Sequence, residues 1–140
     1  MKKHTQSFTI PGKPGAKGRP RFAKGRAYTD TKTANYEALV GWYARDAGVQ
    51  KISGAVGIVV SGYWGCPKHK ERKGVPYTGG WKTSRPDGDN LLKAVLDGLN
   101  GIAYEDDAQA VDSRVRTLFA AQGEEPRVEV WICAMDEETE

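Results

Sequence analysis

The sequence has only two cysteines, Cys66 and Cys133, far apart and with no Cys-x-x-Cys pair. A zinc ribbon is thereby excluded, and two reduced, mostly buried thiols are expected. Histidine is as scarce: His4 and His69 stand apart from one another and read as surface residues. No apolar run approaches the ~20 residues that a membrane span requires. The basic start has no apolar stretch behind it, so no secretory signal is expected and the cytoplasm is the expected location. A P-loop, a Rossmann fingerprint and a Gly-x-Ser-x-Gly elbow are all missing. The glycines of the N-terminal segment lack the Lys-Ser/Thr helix start that cradling a phosphate needs. No internal repeat is visible.

What remains is a chain of 140 residues, the size of one domain spanning 1–140. Its net charge of +3 conceals a segregation by sign. Lys2, Lys3, Lys13, Lys17, Arg19, Arg21, Lys24 and Arg26 all precede Asp30, the first carboxylate. A second basic block holds Lys68, Lys70, Arg72, Lys73, Lys82 and Arg85, diluted only by Glu71. The tail at about 136–140 reverses the sign with Asp136, Glu137, Glu138 and Glu140, and no function is assigned to it. Such segregation points to a polyanionic partner for the basic segments, although a solvated basic surface would look the same. Lys17, Arg19, Arg21, Lys24, Lys70, Arg72, Lys73, Lys82 and Arg85 are the expected phosphate contacts. Phe22, Tyr77 and Trp81 lie among them, either to stack on bases or to anchor the loops.

Periodicity predicts the order β-α-β-α-β-β. Ser7–Ile10 begins a strand, and the proline- and glycine-rich stretch after it, within a basic segment at about 11–29, reads as an extended loop. Tyr36, Leu39, Val40, Tyr43 and Ala47 form one face of a helix over about 31–47. Residues 55–64 are β-branched and aromatic, as in a buried strand. A long irregular basic loop covers about 65–86. A second helix covers about 88–100, with Leu91, Leu92, Val95, Leu96 and Leu99 on its apolar side. Val111–Phe119 and Arg127–Ala134 are strands, and Gly123 between them suggests a hairpin. The expected fold class is α/β (α+β): one mixed sheet with two helices packed on it.

The chemistry concentrates around the second helix. Asp87 and Asp89 stand at its start, and Asp106 and Asp107 lie in the turn after it. On a helical wheel Asp89, Lys93 and Asp97 line the side opposite the leucines. Singly these residues suggest an N-cap, an exposed ion pair and a turn. Together, inside a basic region, they suggest hard oxygen ligands for Mg²⁺, with Mn²⁺ able to substitute. Lys93 is a fixed positive charge for a phosphate. A helix of ~18 Å separates the two acidic pairs, at 1.5 Å per residue. Asp107 reaches Asp87 and Asp89 either on a strand returning beside the helix or from a partner subunit.

The run Asp87-Gly-Asp-Asn-Leu-Leu-Lys-Ala-Val-Leu-Asp97, followed by Tyr104-Glu-Asp-Asp-Ala-Gln109, resembles the signature of the RusA family of Holliday-junction resolvases. The segment Gly12–Phe22 with Tyr28-Thr29 is similar to the opening of phage and prophage members. The resemblance implies a small homodimeric, Mg²⁺-dependent endonuclease that cuts four-way DNA junctions by paired symmetric nicks, leaving 3′-hydroxyl and 5′-phosphate ends. By the same resemblance Asp87, Asp89 and Asp107 are the metal-binding catalytic carboxylates and Lys93 the catalytic lysine. Asp106, Asp97, Asn90 and Gln109 match motif positions with supporting roles. Two other functions remain open: a less selective nuclease of branched DNA, and a non-catalytic DNA-binding protein whose aspartates merely cap a helix or tune affinity.

Overall fold

The computed structural model describes residues 5–15, 21–23, 26–28 and 31–135. In chain order the elements are β1 (Thr5–Pro11), β2 (Arg21–Ala23), β3 (Arg26–Tyr28), α1 (Thr31–Asp46), β4 (Val56–Trp64), β5 (Gly80–Trp81), α2 (Gly88–Gly98), β6 (Ala110–Phe119) and β7 (Arg127–Ala134). Among these, β4 is the natural centre. Its sequence VGIVVSGYW is β-branched or small and is buried over most of its length on both faces, which an edge position would not permit. It pairs in parallel with β6 and antiparallel with β7. β1 joins the far side of β7, and the two-residue β5 closes the other edge beside β6. The strand order is β1-β7-β4-β6-β5, while β2 and β3 form a separate small hairpin. This is the expected mixed sheet with two helices.

The expected hairpin between the last two strands does not form, because β4 lies between them. Two strand spacings of about 4.8 Å are readily crossed by the segment 120–126. Its start is pinned where the Ala120 N–H donates to the Trp64 carbonyl at 2.7 Å. Burial explains the preference. Val128, Val130 and Ile132 of β7 are fully buried, whereas β6 alternates with exposed Ser113, Arg114 and Arg116 and tolerates a place nearer the edge. The N-terminal loop also contains more structure than expected, in the β2–β3 pair.

Alternate residues of β4, Val56, Ile58, Val60 and Trp64, join Phe8, Ile10, Leu91, Val95, Leu99 and Tyr104 in one core. Fully burying each large side chain of this kind contributes about 1.5–3 kcal/mol. The buried stripe of α1 is Thr33, Tyr36, Val40, Gly41 and Ala44, which keeps Tyr36 and Val40 of the predicted face but not all of the rest. Leu39 is 39% exposed, and Ala47 lies beyond the helix. The cause is a backbone-to-backbone crossing of the two helices. A Cβ on Gly98 would come within 2.8 Å of both the Val40 Cβ and the Glu37 carbonyl, and one on Gly41 within 3.3 Å of the Gly98 carbonyl. The glycine side of α1 therefore faces α2, and Leu39 is rotated outward.

Candidate active site

Asp87 occupies the N-cap position of α2 with extended backbone (φ −72, ψ 154), yet its side chain makes no capping hydrogen bond. Asp89 follows in the first turn, and both carboxylates are exposed. Lys93 is exposed one turn further on. The described ion pairs are Lys51–Glu105, Asp112–Arg114 and those of Arg127 with Glu124 and Glu129, so Asp89 and Lys93 do not pair with each other. The ordinary structural uses of Asp87 and Asp89 are thus not made. Asn90 and Asp97 are half-buried on the same helix.

A strut holds the entry to α2. Lys82 is only 7% exposed, and its Nζ donates to the carbonyls of Ser84 at 2.6 Å and Pro86 at 3.4 Å. The ammonium also stands 4.5 Å from the centre of the Trp64 ring. Its own backbone is pinned to β6, since Lys82 N–H donates to the Thr117 carbonyl and the Thr117 hydroxyl donates to the Lys82 carbonyl. Burial lowers the Lys82 pKa, partly offset by the neighbouring Asp87 carboxylate. Sequence reasoning grouped this lysine with the phosphate contacts. Its burial makes it an internal brace of the segment that delivers Asp87.

The other basic residues divide differently. Lys17, Arg19 and Lys24 lie outside the described residues, as does the acidic tail, and Arg21 belongs to β2. Arg72, Lys73 and Arg85 are exposed. Lys70 is half-buried, with its Nζ 5.6 Å from the centre of the Tyr77 ring. The loop that carries them is tied to the β6–β7 connection by Gln122. The Gln122 carboxamide oxygen accepts from the N–H groups of Arg72 and Tyr77, and its amide donates to the Arg72 carbonyl. The Tyr77 backbone is thus held in the loop and its ring is half-buried, whereas Trp81 is 68% exposed beside Lys82. The sequence gives no signal for the role of Gln122, which depends on a contact 50 residues away.

The second acidic pair lies past the other end of α2. Residues Asp107–Gln109 form a single 3-10 turn with a capping box. The Asp106 carboxylate accepts from Ala108 N–H at 3.1 Å, and the Gln109 oxygen accepts from Glu105 N–H at 2.9 Å and Asp106 N–H at 3.2 Å. The Gln109 amide donates to the carbonyls of Ile52 and Gly54, both at 2.9 Å. Asp106 and Gln109 therefore build the turn from which Asp107 projects. Beside it, buried Tyr104 donates its hydroxyl to the Leu96 carbonyl at 2.6 Å. Burial raises the Tyr104 pKa, and Asp107, Asp97 and Asp106 push it further in the same direction.

The strand that follows does return along α2, as one of the two routes required. It brings Val115 and Thr117, not Asp107, beside Gly88 at the start of the helix. Asp107 stays before the strand begins, at the opposite end of an 11-residue helix about 16 Å long. Among the described residues no group of three or more His, Cys, Asp or Glu side chains is placed to hold a metal ion. A shallow pocket of about 150 Å³ lies on the sheet face away from the helices, lined by Val59, Arg114, Trp131 and Met135, and takes in none of the α2 carboxylates.

Comparison with known families resolves what kind of protein presents these groups. The family described as endodeoxyribonuclease RusA matches residues 11–133. The chain belongs to the RusA endodeoxyribonuclease family. Membership implies a nuclease, and the matched span takes in α2, its preceding brace and the turn of Asp107 while leaving out the acidic tail. The chain is also similar to the uncharacterized protein YqaN of Bacillus subtilis (strain 168), with 36% identity over 137 residues covering 89% of this chain and 93% of that protein. No described helix is long and apolar enough to cross a membrane.

Proposed function

We propose that this RusA-family chain is a Mg²⁺-dependent, structure-selective endodeoxyribonuclease that acts in the cytoplasm as a homodimer and resolves four-way DNA junctions by paired symmetric nicks. The observation that carries the reading is the state of Asp87 and Asp89. Both stand exposed at the start of α2, with neither the capping bond nor the Lys93 ion pair that would make them structural. Hard carboxylate oxygens of this type take Mg²⁺ or Mn²⁺. Within one chain the donor set is incomplete, because Asp107 lies at the far end of the helix.

The chain's own residues supply the rest. Arg72, Lys73 and Arg85 hold the DNA backbone through its phosphates, a binding mode that weakens steeply with salt. Lys93, on the same helix side as Asp89, stabilises negative charge developing on the scissile phosphate. Water is the nucleophile, and the bond from phosphorus to the 3′ oxygen breaks, leaving a 3′-hydroxyl and a 5′-phosphate. The two-fold symmetry of a dimer matches two strands of like polarity in a junction.

A synthetic four-way junction with Mg²⁺, cut by the native protein and by Asp89→Asn, tests this. The native dimer is expected to make two symmetric nicks. The variant is expected to bind the junction without metal at least as tightly, since a negative charge is gone, and not to cut. Binding by the native protein without nicking would make it a non-catalytic DNA-binding protein. Equal cutting by both would remove the carboxylates from the chemistry. Equal cutting of flaps and forks would make it a nuclease of broader range.

A further inference from the structure

We infer that the sheet face turned away from α2 is a track for single-stranded DNA, with Trp81 as its base-stacking platform and Arg114 and Arg116 as its phosphate contacts. The inference rests on the proposed nuclease reading only in taking DNA as the polyanion. Strand register fixes which side chains share this face. Val115 and Thr117 of β6 point at α2, since they lie 3.0 and 3.6 Å from where a Cβ on Gly88 would stand. Side chains alternate along a strand, so Arg114, Arg116 and Leu118 point the other way. Trp81 is paired with Leu118 across the β5–β6 ladder and therefore projects on the same side. Further along this face, Arg114 stands at the rim of the apolar recess that Val59 and Trp131 line. Among the described residues, both helices pack on the opposite side, against Val60 and Trp64 of β4.

Trp81 has what a stacking platform needs. Its side chain is largely in water, and none of the described aromatic or cationic contacts occupies its ring. Its backbone is nevertheless fixed. Gly80 before it pairs with Phe119, and the buried Lys82 after it is bonded to Thr117, Ser84 and Pro86. A flat apolar ring held in this way loses little freedom on accepting a base. The two arginines bring the charge that the strand's phosphates require. They stand two residues apart on β6, about 7 Å, so each can take its own phosphate. Arg114 meets an exposed Asp112 carboxylate at 3.5 Å, a pair of little strength. Arg116 gives its Nε to the Ser61 hydroxyl at 3.1 Å and remains exposed. Arg127 takes no part, because Glu129 neutralises it at 2.8 Å. Trp81 also belongs to the basic loop that carries exposed Arg72, Lys73 and Arg85. Base faces are open to an indole in an unpaired strand and covered in a duplex, so this surface selects unpaired DNA.

Fluorescence anisotropy of labelled oligothymidylate, without metal, tests it on the full chain. The native protein is expected to bind. Trp81→Ala is expected to weaken binding about 5–150-fold, the range for losing one base–aromatic stack, and Trp81→Phe to restore most of it. Replacing Arg114 and Arg116 together by Ala is expected to lower the slope of log K against log [salt] by about 1.4, from about 0.7 for each phosphate contact on a single strand. Trp42→Ala, at a similarly exposed tryptophan on α1, is expected to leave binding native. Native affinity in Trp81→Ala together with a native salt slope in the double-arginine variant overturns the inference. So does a native chain that does not hold the oligonucleotide. If the chain ignores the oligonucleotide and the double-arginine variant has a lower mass by light scattering, the face is a protein contact and the inference is equally overturned. Cleavage of a four-way junction in Mg²⁺ separates the two readings. A native chain that cuts the junction but ignores oligothymidylate keeps the nuclease reading and loses this one. A chain that binds oligothymidylate through Trp81 but cuts no DNA keeps this one and loses the nuclease reading.

Discussion

Replacing Lys82 by Met separates two roles that its charge alone would confuse. If the side chain were a phosphate contact, its loss would weaken junction binding and lower the salt dependence, log K against log [salt], by about 0.9. In the structure its ammonium is 93% covered, bonded to two carbonyls and set over Trp64, so metal-free junction binding and its salt slope are expected to remain native. The cost falls on stability. A hydrogen bond from a charged donor contributes about 1.5–3 kcal/mol, and the desolvated cation–π contact about 2 kcal/mol. Against these, Met no longer buries a charge, which is often worth several kcal/mol. The net expected loss is therefore about 1–2 kcal/mol, read from urea unfolding. Under the proposed function the delivery of Asp87 to a metal also loosens, and removing an outer partner of a metal ligand typically costs about 10–100-fold in metal affinity or activity. The direction of the change in half-saturating Mg²⁺ is diagnostic. Removing a nearby positive charge alone would tighten the cation, whereas removing a brace weakens it, so half-saturation is expected to rise. A drop in the salt slope matching that of Arg85→Ala, or a fall in half-saturating Mg²⁺, would refute the brace.

Three further outcomes follow from the packing. Gly98→Ala places a Cβ 2.8 Å from the Val40 Cβ and the Glu37 carbonyl; overpacking of about 1–3 kcal/mol outweighs the gain of up to about 1 kcal/mol in helix propensity, so thermal unfolding is expected at a lower temperature. Gln109→Leu strands two amides and two carbonyls at the turn of Asp107 and is expected to cost about 1–3 kcal/mol in urea unfolding, while slowing cleavage more than it weakens metal-free junction binding. Tyr36 is buried, which raises its pKa from 10.0 to about 12; the folded chain then holds the proton that the unfolded chain releases, so stability is intact below pH 10 and falls as pH rises towards 12, by about 2–3 kcal/mol, and Tyr36→Phe is expected to flatten that alkaline loss in pH-dependent denaturation.

Much of the architecture was legible because it follows from local chemistry. The alternation of Val128, Val130 and Ile132 defined the last strand with its observed bounds, and the leucine and valine side of α2 was correctly read from its period. What escaped depends on partners distant in sequence. Gly123 signals a turn but says nothing about which strand lies across it, so β4 between β6 and β7 was missed. Gly41 and Gly98 carry no hydrophobic signal, so the close helix crossing that turns Leu39 outward was invisible. Lys82 has the same charge whether it points to solvent or into the protein, and only Trp64, Ser84 and Pro86 around it decide. The acidic residues were singled out by their pattern. Their separation along α2 depends on where β6 begins, which the pattern does not encode.

Gln122, by clasping the backbone of Arg72 and Tyr77, ties the long basic loop to the β6–β7 connection, so under the proposed function these bonds are already made before DNA arrives. Such a loop meets its target already formed, without the entropic toll that a fold-on-binding segment incurs. Calorimetry of association would then register a heat-capacity change set by the contact area alone, with no extra increment from newly structured chain.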